Sequence, residues 1–118
     1  MTQLVAVLST GKGTWGQVAK LLRSQEWEKI FLITNQFGKD TFQPDAKTEL
    51  IVANFNDDTM TLKKQILSRL KDKVTGLEVA VNICSGSGRE HTAVVTALQE
   101  LGVGFRFVDL CNGEFTVL

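Results

Sequence analysis

EVAVNICSGSGREHTAVVTALQEL, residues 78–101, opens with a short apolar run, Val79–Cys84, and breaks into Ser85-Gly86-Ser87-Gly88. From about Arg89 it becomes helix-like. Val94, Ala97, Leu98 and Leu101 share one face of a 3.6-residue period, and Gly102 supplies a stop. The stretch therefore reads as strand, glycine-rich turn, helix. Such a turn presents backbone N–H groups at a helix N-terminus, where unpaired donors and the helix dipole favour an anion. Gly86 and Gly88 let a ligand approach the backbone closely, and Arg89 adds a forked set of donors. A tight turn with no ligand is the plain alternative.

Working outward, the same pattern repeats. Leu4–Leu8 is continuously apolar, as a strand buried on both faces would be. The polar loop Ser9-Thr10-Gly11-Lys12-Gly13-Thr14-Trp15-Gly16 follows, and then Val18, Ala19, Leu21 and Leu22 mark a helix reaching Ser24. Ile30–Thr34 is the second buried strand. Asn35–Thr48 is polar, holds the single proline, Pro44, and reads as a crossover loop with a short helix near Asp45–Thr48. Leu50–Phe55 is the third strand. Asn56, Asp57, Asp58 and Thr59 are N-cap candidates for a helix over Met60–Lys73, in which Leu62, Ile66, Leu67 and Leu70 recur at helical spacing. Arg69, Lys71 and Lys73 suit its negative end and read as a solvated face. Phe105–Leu110 is the fifth strand, and Asn112-Gly113 is a strong turn signal before Glu114–Leu118.

Alternating strands and helices predict an α/β fold: a Rossmann-like three-layer sandwich on a mostly parallel sheet, order 3-2-1-4-5. The last strand should lie antiparallel at the edge, in a C-terminal hairpin. With 118 residues, one domain over 1–118 is expected.

Composition narrows the function classes. Thirteen basic and 13 acidic residues give a formal net charge of zero, so direct binding of duplex nucleic acid is not expected and any anion site must be local. No apolar run approaches the ~20 residues a membrane span needs, and the N-terminus lacks the basic region of a signal peptide. A cytoplasmic protein is expected. Cys84 and Cys111 lack CxxC spacing and read as reduced thiols rather than a disulfide. With one histidine in the chain, no metal site is expected, nor any cofactor.

The two glycine loops say more together. Val7-Leu8-Ser9-Thr10-Gly11-Lys12-Gly13 echoes Asn82-Ile83-Cys84-Ser85-Gly86-Ser87-Gly88: strand, hydroxyl residue, Gly-x-Gly, helix. In the order 3-2-1-4-5 the strands before them are neighbours, and the winding reverses there. Ligands of open α/β sheets bind beyond the strand C-termini at that reversal, so both loops should converge on one crevice. Gly11-x-Gly13-x-x-Gly16 matches the dinucleotide fingerprint. Yet the second strand ends at Asn35, with no acid for a ribose hydroxyl, which argues against a dehydrogenase. Walker A is excluded because Ala6 occupies its first glycine position and Gly13 follows the lysine.

The motifs VLSTGKGTWGQVAKLL and VNICSGSGREHTAVVTAL resemble the CRISPR-associated Rossmann-fold (CARF) domains, here in stand-alone form. That family carries a polar glycine-containing loop after strand one, a Thr-Gly-Gly-Thr-Lys motif after strand four, and a hairpin of strands five and six. Arg89 stands here where the family has lysine. The resemblance implies a homodimer binding a cyclic oligoadenylate messenger across its two-fold axis, as a sensor or regulator in CRISPR-associated antiviral defence. It implies that Ser9, Thr10, Gly11, Lys12 and Gly13 meet the ligand from the first loop. Ser85, Gly86, Ser87, Gly88 and Arg89 would do so from the second, with Asn35 at the rim. Some CARF-like proteins also cut the ring without metal, by attack of a ribose 2′-OH on its own phosphate. In such a ring nuclease Lys12 and Arg89 are the candidates for stabilising charge, Ser9 or Ser85 for positioning, and His91 for general base. Trp15 is a candidate for stacking on adenine or for packing on the first helix. Asp109 and Asn112 are further candidates to line the pocket, and Lys39 and Asp40 lie in a loop read as a possible lid. A generic small nucleotide-binding or interaction domain is the remaining reading.

Overall fold

A computed structural model describes residues 2–9 and 12–118, with the Lys12 side chain outside that description. The elements run β1 (Gln3–Leu8), α1 (Trp15–Ser24), β2 (Lys29–Thr34), α2 (Gln36–Thr41), β3 (Thr48–Val52) and α3 (Thr59–Leu70). Then follow β4 (Glu78–Asn82), α4 (Gly88–Leu101), β5 (Gly104–Cys111) and β6 (Glu114–Val117), with a turn of 3-10 helix at Lys12–Thr14 leading into α1. The six strands form one sheet in the order β3-β2-β1-β4-β5-β6. All neighbours are parallel except β5 and β6, which are antiparallel. This is the Rossmann-like order expected from the sequence, edge hairpin included.

The alternation of side chains along the strands explains the layers. Val5, Val7, Phe31, Ile33, Val79 and Val81 point to one face, where Leu62, Ile66 and Leu70 of α3 and Val94, Ala97 and Leu98 of α4 cover them. Leu4, Ala6, Leu8, Ile30 and Leu32 point to the other, against Val18 and Leu21 of α1 and Trp27 from the connection between α1 and β2. Both faces of β1 are dry, and that is why its sequence is apolar without interruption. Asn112 and Gly113 both take positive φ, 53° and 79°, as a two-residue hairpin turn requires.

The sequence misplaced one helix and several ends. The short helix lies at Gln36–Thr41, directly after β2, and not near Asp45–Thr48. Asn35 caps it, its Oδ1 accepting from the Gly38 amide at 3.0 Å. Asp45 instead folds a local turn, its Oδ1 accepting from the Lys47 amide at 3.0 Å and the Thr48 hydroxyl at 2.8 Å. β3 ends at Val52, not Phe55. Asn54 turns the chain there, its Oδ1 accepting from the Asn56 amide at 3.0 Å. α3 stops at Leu70, short of Lys73, because buried Gln3 holds the following segment through Lys73 O (3.1 Å) and the Thr75 amide (3.1 Å). Lys71 and Lys73 therefore lie beyond the helix, and Lys73 pairs with Glu49 on β3.

Of the N-cap candidates for α3, Asp58 is the cap, accepting from the Thr61 amide at 2.8 Å. The Thr61 amide and hydroxyl hold its carboxyl below the ordinary range. A carboxyl whose folded pKa is depressed stabilises the fold above its unfolded pKa, and that contribution is lost as pH falls through the folded value. Acid unfolding followed by circular dichroism should therefore show a shallower acid limb for Asp58→Asn, with neutral-pH stability largely kept because asparagine also caps. An unchanged acid limb would remove Asp58 from that role.

Candidate functional site

β1 and β4 are neighbours, and the chain winds away from them in opposite directions. Their following loops meet beyond the C-terminal edge. The Ser9 amide donates to Ser85 Oγ at 2.9 Å, and the two hydroxyls lie 3.1 Å apart. Ser85 is 1% exposed, so this is an internal stitch between the loops rather than a pair of hydroxyls offered to solvent. Trp15 Nε1 donates to Ser9 O at 2.6 Å from the other side. The Trp15 ring packs at 5.8 Å from Phe37 and 6.4 Å from Phe42. Of its two sequence roles, packing is the one its geometry serves.

The second loop is built with little slack. Gly86 has φ +99°, and a Cβ there would stand 3.0 Å from Val7 Cγ1 and 3.3 Å from His91 Nε2. Ser87 and Glu90 form a capping box at the start of α4. The Ser87 amide donates to Glu90 Oε1 at 3.1 Å, and the Ser87 hydroxyl donates to Oε2 at 2.6 Å. Glu90 is only 5% exposed. A carboxylate of the chain itself thus occupies part of the position where an anion would sit at this helix end.

His91 Nε2 lies 2.8 Å from Ser85 O. A carbonyl only accepts, so Nε2 carries a proton and props the loop. Arg89 turns away from the first loop: its Nη1 donates to Phe55 O and Asp57 O, both at 3.3 Å, and braces the segment after β3. Two carbonyls of the β3–α3 segment thus hold the guanidinium of Arg89, the residue that the resemblance offers as a ligand contact of the second loop. Thr10 and Gly11 lie outside the described residues, as does the side chain of Lys12. Gly13 is exposed in the turn before α1, and Gly86, Ser87 and Gly88 are exposed beside the stitch.

The open space lies to one side of the stitch. A cleft of about 560 Å³ runs across the C-terminal ends of β1, β2 and β3, lined by Ser9, Asn35, Gln36, Phe37, Val52, Ala53, Asn54, Phe55, Asn56, Gln65 and Glu90. Its volume falls within the ~300–1,000 Å³ of small-molecule sites. Ser9 and Asn35 are the expected ligand residues that line it. The remaining wall residues went unread in the sequence because they depend on the true positions of α2 and of the end of β3. Only Glu90 left a signal, the Ser-x-x-Glu spacing of residues 87–90.

Several amides of the wall are already committed. Gln65 accepts from the Asn54 amide at 3.2 Å and donates to Asp57 at 2.7 Å, and Gln36 donates to Asp40 at 2.9 Å. Lys39 and Asp40 belong to the helix α2 rather than to a loop, and neither lines the cleft. Asp109 also stands away from the cleft. Its Oδ1 gathers Gln17 Nε2 (3.0 Å), Asn82 Nδ2 (3.3 Å) and the Leu110 amide (2.8 Å). Asn112 serves the hairpin turn.

Cys84 and Cys111 are free thiols, the first half-buried and the second exposed. Burial, with the Asp109 carboxylate nearby, pushes the Cys84 thiol up, and the thiolate is the reactive form. Iodoacetamide at neutral pH should label Cys111 first, with Cys84 lagging until the pH is raised. Equal rates, read by peptide mass spectrometry, would contradict this placement of Cys84.

Among the described residues no helix is long and apolar enough to cross a membrane. No protein-family model matches the chain, and no curated protein matches it.

Proposed function

We propose that the chain is a nucleotide-binding module for a cyclic oligoadenylate-type messenger. Two copies would each offer the stitched loops and the adjoining cleft to half of a ring. A closed ring with two-fold symmetry fits an isologous pair of subunits. The observation that carries the reading is the Ser9–Ser85 stitch, which joins two glycine loops 76 residues apart at the point where the sheet's winding reverses. That point opens onto the cleft of about 560 Å³, to which Ser9 and Glu90 contribute from the two halves of the fold. Backbone donors of the second loop and Lys12 would meet phosphates, and a cytoplasmic regulator in CRISPR-associated defence is the corresponding biological role.

Binding is favoured over ring cleavage by the state of the two polar side chains of α4 proposed for chemistry. Arg89 is bound to two carbonyls, and the His91 nitrogen nearest the loop is engaged as a donor. The test is incubation of the purified chain with cyclic tetra- and hexa-adenylate, following melting temperature and linear products together. A ligand that binds the folded chain raises its melting temperature by mass action. A sustained rise with the ring intact is expected. A rise that decays as linear products accumulate would make the protein a ring nuclease, and no rise with any ring would overturn the proposal.

A further inference from the structure

The sheet ends on an open strand. β6 lies at one edge and pairs on a single side, with β5, and the register fixes which of its backbone groups face outward. The Leu118 amide donates to Phe107 O at 2.9 Å, and the pairs Asp109–Thr116 and Cys111–Glu114 follow it along the ladder. In an antiparallel ladder such hydrogen-bonded pairs alternate with pairs that exchange no hydrogen bond. The latter are Val108–Val117 and Leu110–Phe115. The N–H and C=O groups of Phe115 and Val117 therefore point away from β5, along the free edge.

Sheet edges are commonly blunted by charge, proline or a bulge. β3, at the other edge, carries Glu49, which is paired with Lys73. β6 reads Glu-Phe-Thr-Val, with its one charge at the first residue and strand-favouring residues after it. Its apolar side is open as well. Phe115 and Val117 share one face, and with Trp27, Ala80 and Val108 they line a groove of about 470 Å³. Trp27 meets Phe115 edge-on, with ring centroids 5.9 Å apart, whereas Val117 is left 48% exposed.

We infer that β6 pairs with β6 of a second copy of this chain, antiparallel about a two-fold axis at Thr116, to make one continuous sheet. The strand is complementary to itself in one register. With Phe115 opposite Val117 of the second copy, the outward groups of both residues find partners on both sides of the axis. The neighbouring in-phase registers set Val117 against the hairpin turn or carry Phe115 past the strand. The favoured register also matches side chains. Phe115 and Val117 form aromatic–β-branched pairs across the groove face, Thr116 meets Thr116 on the other face, and Glu114 lies opposite Leu118, so no like charges oppose one another. The axis stands normal to the sheet, and the two clefts beyond the strand C-termini then point to opposite ends of the joined sheet. This edge pair is thus a different contact from the ring-sharing pair proposed above, and it needs no ligand.

The test is sedimentation equilibrium of the ligand-free chain over a micromolar dilution series, with amide-resolved deuterium exchange on the same samples. A dimer is expected. The Phe115 and Val117 amides should be protected in it and lose that protection on dilution, while the Asp109 and Thr116 amides inside the hairpin stay protected throughout. Val117→Pro removes an outward donor without touching the β5–β6 ladder, and a proline is tolerated at an edge. It should weaken the dimer at least about tenfold, since one hydrogen bond is lost twice across the axis. Val117→Lys, which keeps the N–H but charges the groove face, is the second variant and should also dissociate the pair. A monomer at every concentration would overturn the inference and leave the edge to a foreign strand or to none. A dimer whose Phe115 and Val117 amides exchange freely, or one that survives both variants with the hairpin amides intact, would overturn it too. Val117 is outside the cleft wall, so Val117→Pro should keep the melting-temperature response of the native chain to cyclic tetra-adenylate. Failure of the ring reading therefore leaves the edge pairing standing, and failure of the edge pairing leaves the ring reading.

Discussion

Gly38→Ala is expected to cost about 3 kcal/mol of folding stability, the upper end of the ordinary range for overpacking, and to lower the melting temperature by roughly 10 °C. A Cβ at Gly38 would fall 1.8 Å from Thr34 Oγ1 and 3.0 Å from Thr34 Cβ. Thr34 cannot swing aside freely, because it is fully buried and its hydroxyl donates to Leu8 O at 2.7 Å. Either that bond breaks or α2 lifts from the end of β2. Lifting α2 moves Gln36 and Phe37, which form a wall of the cleft, so ligand affinity should fall with stability. Thr34→Ala in the same chain removes the Oγ1 obstacle and should restore part of the loss. Calorimetric melts of the single and double variants check this, and a neutral Gly38→Ala would contradict the close seating of α2 on β2.

Ser85→Ala should have the largest effect on ligand binding for the smallest change in shape. It deletes the acceptor of the Ser9 amide and the hydroxyl pair between the loops. At about 1 kcal/mol for each hydrogen bond, the expected loss of stability is about 2 kcal/mol. The loops carry the donors that must meet a phosphate together, and uncoupling them should weaken cyclic tetra-adenylate by about tenfold or more. Ser9→Ala keeps the backbone donor to Ser85 and should be milder. Equal, small effects in both variants would mean that the stitch does not organise the site.

The sheet was legible because its signals are long and repeated. Leu4–Leu8 and Ile30–Thr34 are apolar on both faces, and each sits beside another buried strand in the structure. Asn112-Gly113 and Gly102 also signalled their turns, and Gly102 adopts the left-handed conformation that ends α4, with φ 74°. The helix α2 was not legible, since its six residues are too few to show a 3.6-residue period. Its cap, Asn35, was read instead as a ligand residue at a strand end; it lines the cleft and caps the helix at once. The convergence of Ser9 and Ser85 followed from strand order alone. The direction of Arg89 did not, because it depends on carbonyls of Phe55 and Asp57 that become available only where β3 stops early. The cleft wall is built from those same early endings, and that is why most of its residues were silent in the sequence.

The most direct test is an amide-resolved titration of the uniformly labelled chain with cyclic tetra-adenylate, read at saturation. The account predicts perturbations at Ser9, Gly86 and Gly88 together with Asn54, at a stoichiometry of one ring to two chains. An unchanged spectrum would contradict it. So would changes confined to the groove beside Trp27 and Phe115, which lies at the opposite end of the parallel strands with Thr2, Glu78 and Val79 in its wall.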